Sequence, residues 1–205
     1  MVKRRKLTRC ELTHIHPTQV TVGYLAVAEK CKHYGSLSAA DLKEALKADP
    51  IPTVLGSDGM HFAIDHHHLA RALGDAHIEQ AYVDVVADFS QLSAEAFWLK
   101  MATHQWVHPY DEHGRLHGID AIPRHFLGLI DDPYRSLAAF VRNAGGYIKT
   151  SAPFAEFQWA DFFRERVPLW TTPFQLRAAT TQAIHLARSP DALILPGFRP
   201  LSEHT

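Results

Sequence analysis

The chain has 205 residues, of which 46% are hydrophobic and 21% charged, a balance that suits one buried core with a smaller helical annex. No stretch approaches the roughly 20 apolar residues of a membrane-spanning helix, and no apolar run follows the basic residues 3–6, so we expect a cytoplasmic protein with no membrane contact. Two cysteines exclude a disulfide framework and a thiolate metal site, and a formal net charge of −1 lacks the basic surface of a duplex-DNA binder.

The basic run at residues 3–6 is short, and we interpret it as a solvated tail rather than a nucleic-acid-binding arm. After it, the N-terminal half predicts short strands alternating with helices. In chain order the predicted elements are a strand at 7–15, a helix from Val22 to about His33, a helix at 38–48 with a capping box that begins at Ser38, strands at 53–55 and 61–64 around a turn at 56–59, a helix at 66–73 ended by Gly74, and a strand at 78–86.

The sequence becomes mostly helical from Ser90 onward. Predicted helices run over 93–104, 132–143, 153–164 and 172–189, and the five aromatic residues between 154 and 163 are interpreted as core. We therefore predict an α+β fold. In this prediction residues 1–90 form a small mixed β-sheet core with flanking helices, and residues 91–205 form a helical extension packed on it within one structural domain.

The most informative segment is the turn Asp65-His66-His67-His68, where a predicted strand runs directly into an amphipathic helix. The backbone N–H groups and the positive dipole end of a helix start favour anions, and Asp65 is the predicted N-cap. The histidines can donate to a phosphate or act as a base. The alternative is an ordinary helix start with solvent-facing histidines. Because three consecutive side chains cannot all face solvent on one short turn, at least one histidine is expected to point inward.

This turn resembles the one in the ParB and sulfiredoxin superfamily, where Asp-Gly-His-His-Arg or Gly-Cys-His-Arg opens a helix and holds nucleotide phosphates. The chain is more closely similar to the second family of ParB-like nucleases. The resemblance covers roughly residues 10–190. It rests on four short sequence motifs that occur in the family's order along the chain, at residues 16–23, 64–69, 132–137 and 157–164, together with Lys30. It implies a sheet of ParB/sulfiredoxin type and a phosphate-binding role for the turn.

Three departures from the superfamily limit what the resemblance implies. A histidine occupies the position of the sulfiredoxin cysteine, so repair of sulfinic acids by a thiol is not expected. His68 replaces the arginine that ends the ParB turn, which weakens the case for CTP clamping of the ParB type. No helix-turn-helix module is recognisable, so a chromosome-partition protein is not expected either.

Further candidates lie outside the turn. The resemblance implies phosphate contacts for Gln19 and Lys30; the alternatives are a local backbone bond for Gln19 and a solvated helix residue for Lys30. Arg135 and Arg142 lie on a similar face of one predicted helix and either clamp a phosphate or pair with carboxylates such as Asp131 and Glu156. The pairs His104/His108 and His113/His117 have zinc-like spacing but are interrupted by Pro109 and Gly114, and an aromatic pocket at Trp106 and Tyr110 is also considered.

Three functions therefore remain open. In the first, the protein is a phosphotransferase or phosphohydrolase that binds a nucleoside triphosphate or a phosphorylated small molecule, with Mg²⁺ assisting. In the second, it is a metal-dependent nuclease acting on DNA through the same turn, which the charge does not favour. In the third, it is a non-catalytic ligand-binding module. The catalytic candidates are Asp65, His67 and His68; the phosphate-binding candidates are His66, His67, His68, Lys30, Gln19 and Arg135. The metal ligands and the oligomeric state remain open.

Overall fold

The computed structural model describes residues 7–200, apart from the side chain of Asp58, and the basic run at residues 3–6 lies outside this range. Within it the chain divides into two compact units, one formed by residues 7–22 and 27–131 and the other by residues 23–26 and 132–200. Residues 91–131 thus belong to the same compact unit as the sheet. The predicted boundary at residue 90, between a sheet core and a helical extension of one domain, stays a prediction. No helix in the described part of the chain is long and apolar enough to cross a membrane.

The first unit carries all the strands of the described chain. Its elements are β1 (Leu7–Glu11), β2 (Ile15–His16), β3 (Thr21–Val22), most of α1 (Tyr24–Gly35), α2 (Ala39–Ala48), β4 (Ile51–Leu55), β5 (His61–Ala63), α3 (His67–Asp75), β6 (Gln80–Asp88), α4 (Ala94–Thr103) and β7 (Ile130–Asp131). The mixed α+β architecture predicted from the sequence is confirmed.

Five strands form one mixed sheet in the order β1-β6-β4-β5-β2. β1 is antiparallel to β6, β6 is parallel to β4, β4 is antiparallel to β5, and β5 is parallel to β2. β3 and β7 form a separate parallel pair. The parallel pairing of β2 and β5 sets Ile15 beside His61 and His16 beside Phe62, so these two strands end at the same edge of the sheet.

The two faces of the sheet are covered by different helices. Residues that alternate along the strands, such as Ile15, Ile51 and Val83, share one buried cluster with residues of α1, α2 and α3. On the opposite face Val54 and Phe62 share a second cluster with Phe89 and with Phe97 and Met101 of α4. The position considered above as an aromatic pocket, Trp106, packs against this second cluster.

The second unit is helical and contains α5 (Pro133–Asn143), α6 (Ala155–Arg164), α7 (Pro173–Ala187) and the first residues of α1. Local signals begin these helices: Asp132 caps α5 ahead of a proline, and Thr172 and Gln175 form a capping box on α7. The predicted aromatic core is confirmed for Trp159, Phe162 and Phe163, which are buried, whereas Phe154 and Phe157 are half-buried.

Two local predictions in the first unit were wrong. The predicted strand at 7–15 is broken after Glu11 by one 3₁₀ turn, so it forms two strands that pair with different neighbours. Gly74 does not end α3: the left-handed residue is His77, with φ = 55°, and its N–H and that of Ile78 bond back to the last turn. Gly74 instead packs closely against the loop around Leu127, and a Cβ there would lie 3.1 Å from the side chain of Leu127, which would have to shift slightly.

Candidate functional site

The turn between β5 and α3 has an unusual backbone. His66 adopts a left-handed conformation (φ = 63°, ψ = 25°) and occupies the N-cap position, but its side chain makes no cap hydrogen bond. The prediction that Asp65 is the N-cap was therefore wrong. Asp65 lies one residue too early, and its Oδ1 accepts a hydrogen bond from the backbone N–H of His66 at 2.6 Å. The first-turn N–H groups of α3 thus lack a capping side chain from the N-cap residue.

His67 points inward, which confirms that at least one of the three histidines is turned away from solvent. It is 4% exposed, its Nε2 accepts a hydrogen bond from the backbone N–H of Thr18 at 3.0 Å, and its ring meets Phe126 edge-on. Thr18 also donates its hydroxyl to the carbonyl of Ala63 at 2.6 Å. Because an N–H group points at Nε2, the imidazole is assigned as the neutral Nδ1–H tautomer. His67 therefore ties β5 and α3 to the segment after β2.

His66 lies on the rim of the turn beside a carboxylate that the sequence did not single out. Its Nδ1 is 3.4 Å from Oδ1 of Asp49, and the two side chains are 26% and 43% exposed, respectively. The other carboxylate oxygen, Oδ2, accepts a hydrogen bond from the hydroxyl of Tyr34 at 3.4 Å. Burial, together with the charge of Asp49 and its hydrogen bond, raises the pKa of Tyr34. In the sequence Asp49 is simply the residue before a helix-breaking proline, and no local sequence signal indicates its contact with His66.

A loop at residues 124–129 lies against the turn. Arg71 of α3 donates to the carbonyls of Leu127 at 3.2 Å and Leu129 at 2.9 Å, while its Nε bonds to Asp75. His16 contacts the same loop, since its Nδ1 is 2.6 Å from the carbonyl of Arg124. Phe126 of the same loop contacts His67, as described above.

His16 and His125 lie close together beside this loop. The ring of His16 lies 6.2 Å from that of His125 and 5.3 Å from that of Phe62. Arg124 and His125 are exposed, and His68 on α3 is half-buried. The sequence analysis missed Arg124 and His125 because nothing local distinguishes them from ordinary surface residues.

The structure gives Gln19 and Lys30 different surroundings. Gln19 is buried, and its Nε2 donates to the carbonyl of Thr21 at 2.6 Å, which is the local backbone bond considered as the alternative. Lys30 is half-buried on α1, one turn before Tyr34 and therefore on the same helix face. Phosphate contacts of both residues stay predictions.

Arg135 belongs to an ion-pair network of the second unit. Its NH2 group lies 3.9 Å from Glu156, its guanidinium lies 3.5 Å from the centre of the Phe157 ring, and Arg142 pairs with the same glutamate. The alternative of a structural ion pair with Glu156 is thus realised, and phosphate binding by Arg135 stays a prediction.

The histidine pairs with zinc-like spacing have other contacts. The ring of His104 packs against Trp106, with centroids 4.5 Å apart, and His117 Nε2 lies 2.9 Å from Oδ2 of Asp111. Burial alone would raise the pKa of Asp111, but hydrogen bonds from His117 and from two backbone N–H groups lower it to about 2. Among residues 7–200, no group of three or more histidine, cysteine or acidic side chains is arranged to hold a metal ion.

Comparison with known proteins assigns the chain to a family. No curated protein matches the chain. The crystal structure of protein Atu1540 from Agrobacterium tumefaciens is similar to it, with 34% sequence identity and a TM-score of 0.88 over 98% of this chain and 100% of that one. The family model described as "Putative ParB-like nuclease" matches residues 8–165, a range that contains the turn, Asp49 and the 124–129 loop. The chain therefore belongs to this ParB-like family.

Proposed function

We propose that the first unit binds a phosphate-bearing ligand at the Asp65–His68 turn and acts on it as a phosphotransferase or phosphohydrolase. The observation that carries the proposal is the left-handed residue His66 at the start of α3. The side chain of His66 makes no cap hydrogen bond to the first turn of α3. The helix dipole favours an anion at this position, and a bound phosphate can accept hydrogen bonds from the N–H groups there. Imidazoles on the rim of the turn supply side-chain donors beside those N–H groups.

The residues of the turn take different roles in this proposal. His67 holds the turn in place through Thr18, whereas His66 and His68 are the imidazoles that reach the ligand. Lys30 adds a positive charge from α1. Asp65 is an exposed carboxylate and the single oxygen donor among the side chains of the turn, which suits Mg²⁺ held mainly by the phosphates of a nucleoside triphosphate. Bound in this way, Mg²⁺ would supply charge neutralisation on the phosphates.

The second candidate is a metal-dependent nuclease acting on DNA, and the observation in its favour is the description of the matching family model. It would use the same turn. The formal net charge of −1 argues against strong binding of duplex DNA, because such binding depends on neutralising many phosphates. A short single strand or a nucleotide has fewer phosphates to neutralise than a duplex. The two candidate functions therefore differ in the size of the ligand and share the same binding site.

A thermal-shift panel separates these candidates. It contains ATP, CTP, GTP, pyrophosphate and short DNA, each with and without Mg²⁺, on the wild type and on His68→Gln and Lys30→Met. His185→Gln on α7 and Lys32→Met on α1 are matched controls, since both side chains are exposed. A ligand at one hundred times its dissociation constant stabilises the native state by about 2.7 kcal/mol.

The expected result is a shift with a nucleotide or pyrophosphate that His68→Gln and Lys30→Met reduce and the two controls leave unchanged. A shift seen with DNA and metal alone would favour the nuclease. If no ligand shifted the wild type, or if all variants responded equally, the turn would not be the binding site and the proposal would fail.

A further inference from the structure

Asp49 lies between an imidazole and a phenol that come from different helices. His66 precedes α3, Asp49 follows α2 and Tyr34 lies near the end of α1, so three elements place three polar groups in a row. We propose that this row is a positioning relay: Tyr34 holds Asp49, and Asp49 orients His66 as the acid–base group of the turn. The relay rests on the proposed function, and it assigns the chemistry to a different histidine from the buried His67.

The geometry determines which nitrogen of His66 faces the ligand. Nδ1 is buried beside Asp49 Oδ1, while the side chain as a whole keeps 26% exposure. Nδ1 makes no hydrogen bond to Asp49, and the relay assigns it the proton because the nearest charged group is a carboxylate oxygen 3.4 Å away. The Nε2 atom is then the nitrogen available to a bound group. At 3.4 Å the contact is electrostatic rather than a well-formed hydrogen bond, a common state of catalytic pairs before the ligand binds.

The backbone conformation of His66 accompanies the contact of its ring with Asp49. A non-glycine residue in the left-handed region is under backbone strain. Histidine is one of the residue types that tolerates this region, yet glycine would adopt it at no steric cost. Strain of this kind clusters at functional sites. Positive φ also occurs at His77, Gln105 and Phe154, so the strain supports the relay only together with the 3.4 Å contact between His66 and Asp49.

The relay supplies one proton transfer in the proposed reaction. The hydroxyl of an acceptor, or of a water molecule in hydrolysis, gives its proton to Nε2 of His66. The acceptor oxygen forms the new bond to phosphorus, and the leaving group departs with the electrons of the broken P–O bond. Asp49 stabilises the imidazolium that forms, and Tyr34 keeps that carboxylate in place. Asp49 and Tyr34 are thus positioning residues, and His66 is the catalytic one.

The relay is tested first without any ligand. Long-range ¹H–¹⁵N NMR of the imidazoles in the ¹⁵N-labelled full chain, recorded at a pH where histidine is neutral, reports the tautomer of each ring. We expect the Nδ1–H tautomer for His66 in the wild type and loss of that preference in Asp49→Ala. His67, whose tautomer depends on Thr18, should keep Nδ1–H in both proteins and serves as the internal control. An Nε2–H tautomer for wild-type His66, or identical His66 signals in both proteins, would overturn the relay.

The second test uses the nucleotide or pyrophosphate identified by the thermal-shift panel. His66→Gln should lower kcat by about a hundredfold, in line with removal of a general base. Asp49→Ala should lower kcat by about tenfold with little change in KM, Tyr34→Phe should lower it by less, and His185→Gln should not change it. Unchanged turnover in His66→Gln would refute the relay while leaving ligand binding at the turn intact. If the wild type binds no phosphate-bearing ligand, the proposed function fails, and the tautomer measurement still decides whether Asp49 orients His66.

Discussion

Replacing His67 by alanine tests whether this histidine is a structural tie rather than a surface group. The substitution removes the acceptor of the Thr18 N–H group, and Thr18 is only 1% exposed. A buried donor left without a partner costs about 1–3 kcal/mol. The lost burial of the ring against Phe126 adds roughly 1–2 kcal/mol. We therefore expect His67→Ala to lower the free energy of unfolding by about 2–5 kcal/mol, with the lower end reached if water enters the space.

The assay is urea unfolding followed by circular dichroism, with the free energy taken from the midpoint and slope. His67→Gln is the conservative variant, because its Oε1 can accept the same backbone N–H; we expect it to recover part of the loss. His185→Ala on α7 is the surface control and should stay within about 0.5 kcal/mol of the wild type. If His67→Ala cost no more than His185→Ala, the assignment of His67 as a tie between β5, α3 and Thr18 would be refuted.

Three further predictions concern other parts of the chain. Gly197→Ala should destabilise the protein more than Gly145→Ala in thermal unfolding: both glycines have φ = 76°, but an added Cβ at Gly197 would collide with the carbonyl of Ile148, whereas at Gly145 it meets only a side-chain end 3.8 Å away. Arg71→Met should speed hydrogen exchange in the 124–129 loop and leave β6 unaffected, because the guanidinium holds two carbonyls of that loop. Asp111 stabilises its loop only while ionised. Its pKa in the folded state, about 2, lies below the ordinary 3.8, so this contribution is complete above the ordinary value and disappears as the pH falls through about 2. An acid titration followed by ¹³C NMR of the Asp111 carboxyl should therefore give a midpoint well below that of an exposed aspartate.

Helix starts were predictable from the sequence because their signals are local. Ser38, Ser93, Asp132 and Thr172 each accept a hydrogen bond from the first turn of the helix that the sequence assigned to them. The signal depends on a few consecutive residues, so tertiary structure seldom overrides it. The inward turn of one histidine was predictable for a similar reason, since three adjacent positions cannot share one exposed face.

The cap of α3 was not predictable, although an aspartate stood at the expected place. Asp65 bonds to the next N–H instead of the first turn, because His66 adds one left-handed residue between the carboxylate and the helix. The neighbours of this turn are Thr18, which bonds to His67, and Asp49, which contacts His66; they lie 47 and 16 residues earlier in the chain than Asp65 and have no periodic relation to it. The contacts of Arg124 and His125 with His16 join residues still further apart in the sequence, and local sequence patterns do not reveal them.

His66 and His67 are adjacent but differ in burial and in their hydrogen-bond partners, and this difference favours His66 as the acid–base group. His67 is buried with its Nε2 committed to a backbone N–H, so proton transfer at that nitrogen would break a contact that holds the turn together. His66 keeps an exposed part of its ring, has a carboxylate at the other nitrogen, and sits on a strained backbone. The left-handed backbone alone does not single out His66, because Phe154 at the N-cap of α6 has nearly the same angles (φ = 55°, ψ = 22°). What distinguishes His66 is the carboxylate of Asp49 beside its ring, at the end of α3 where we propose that phosphate binds.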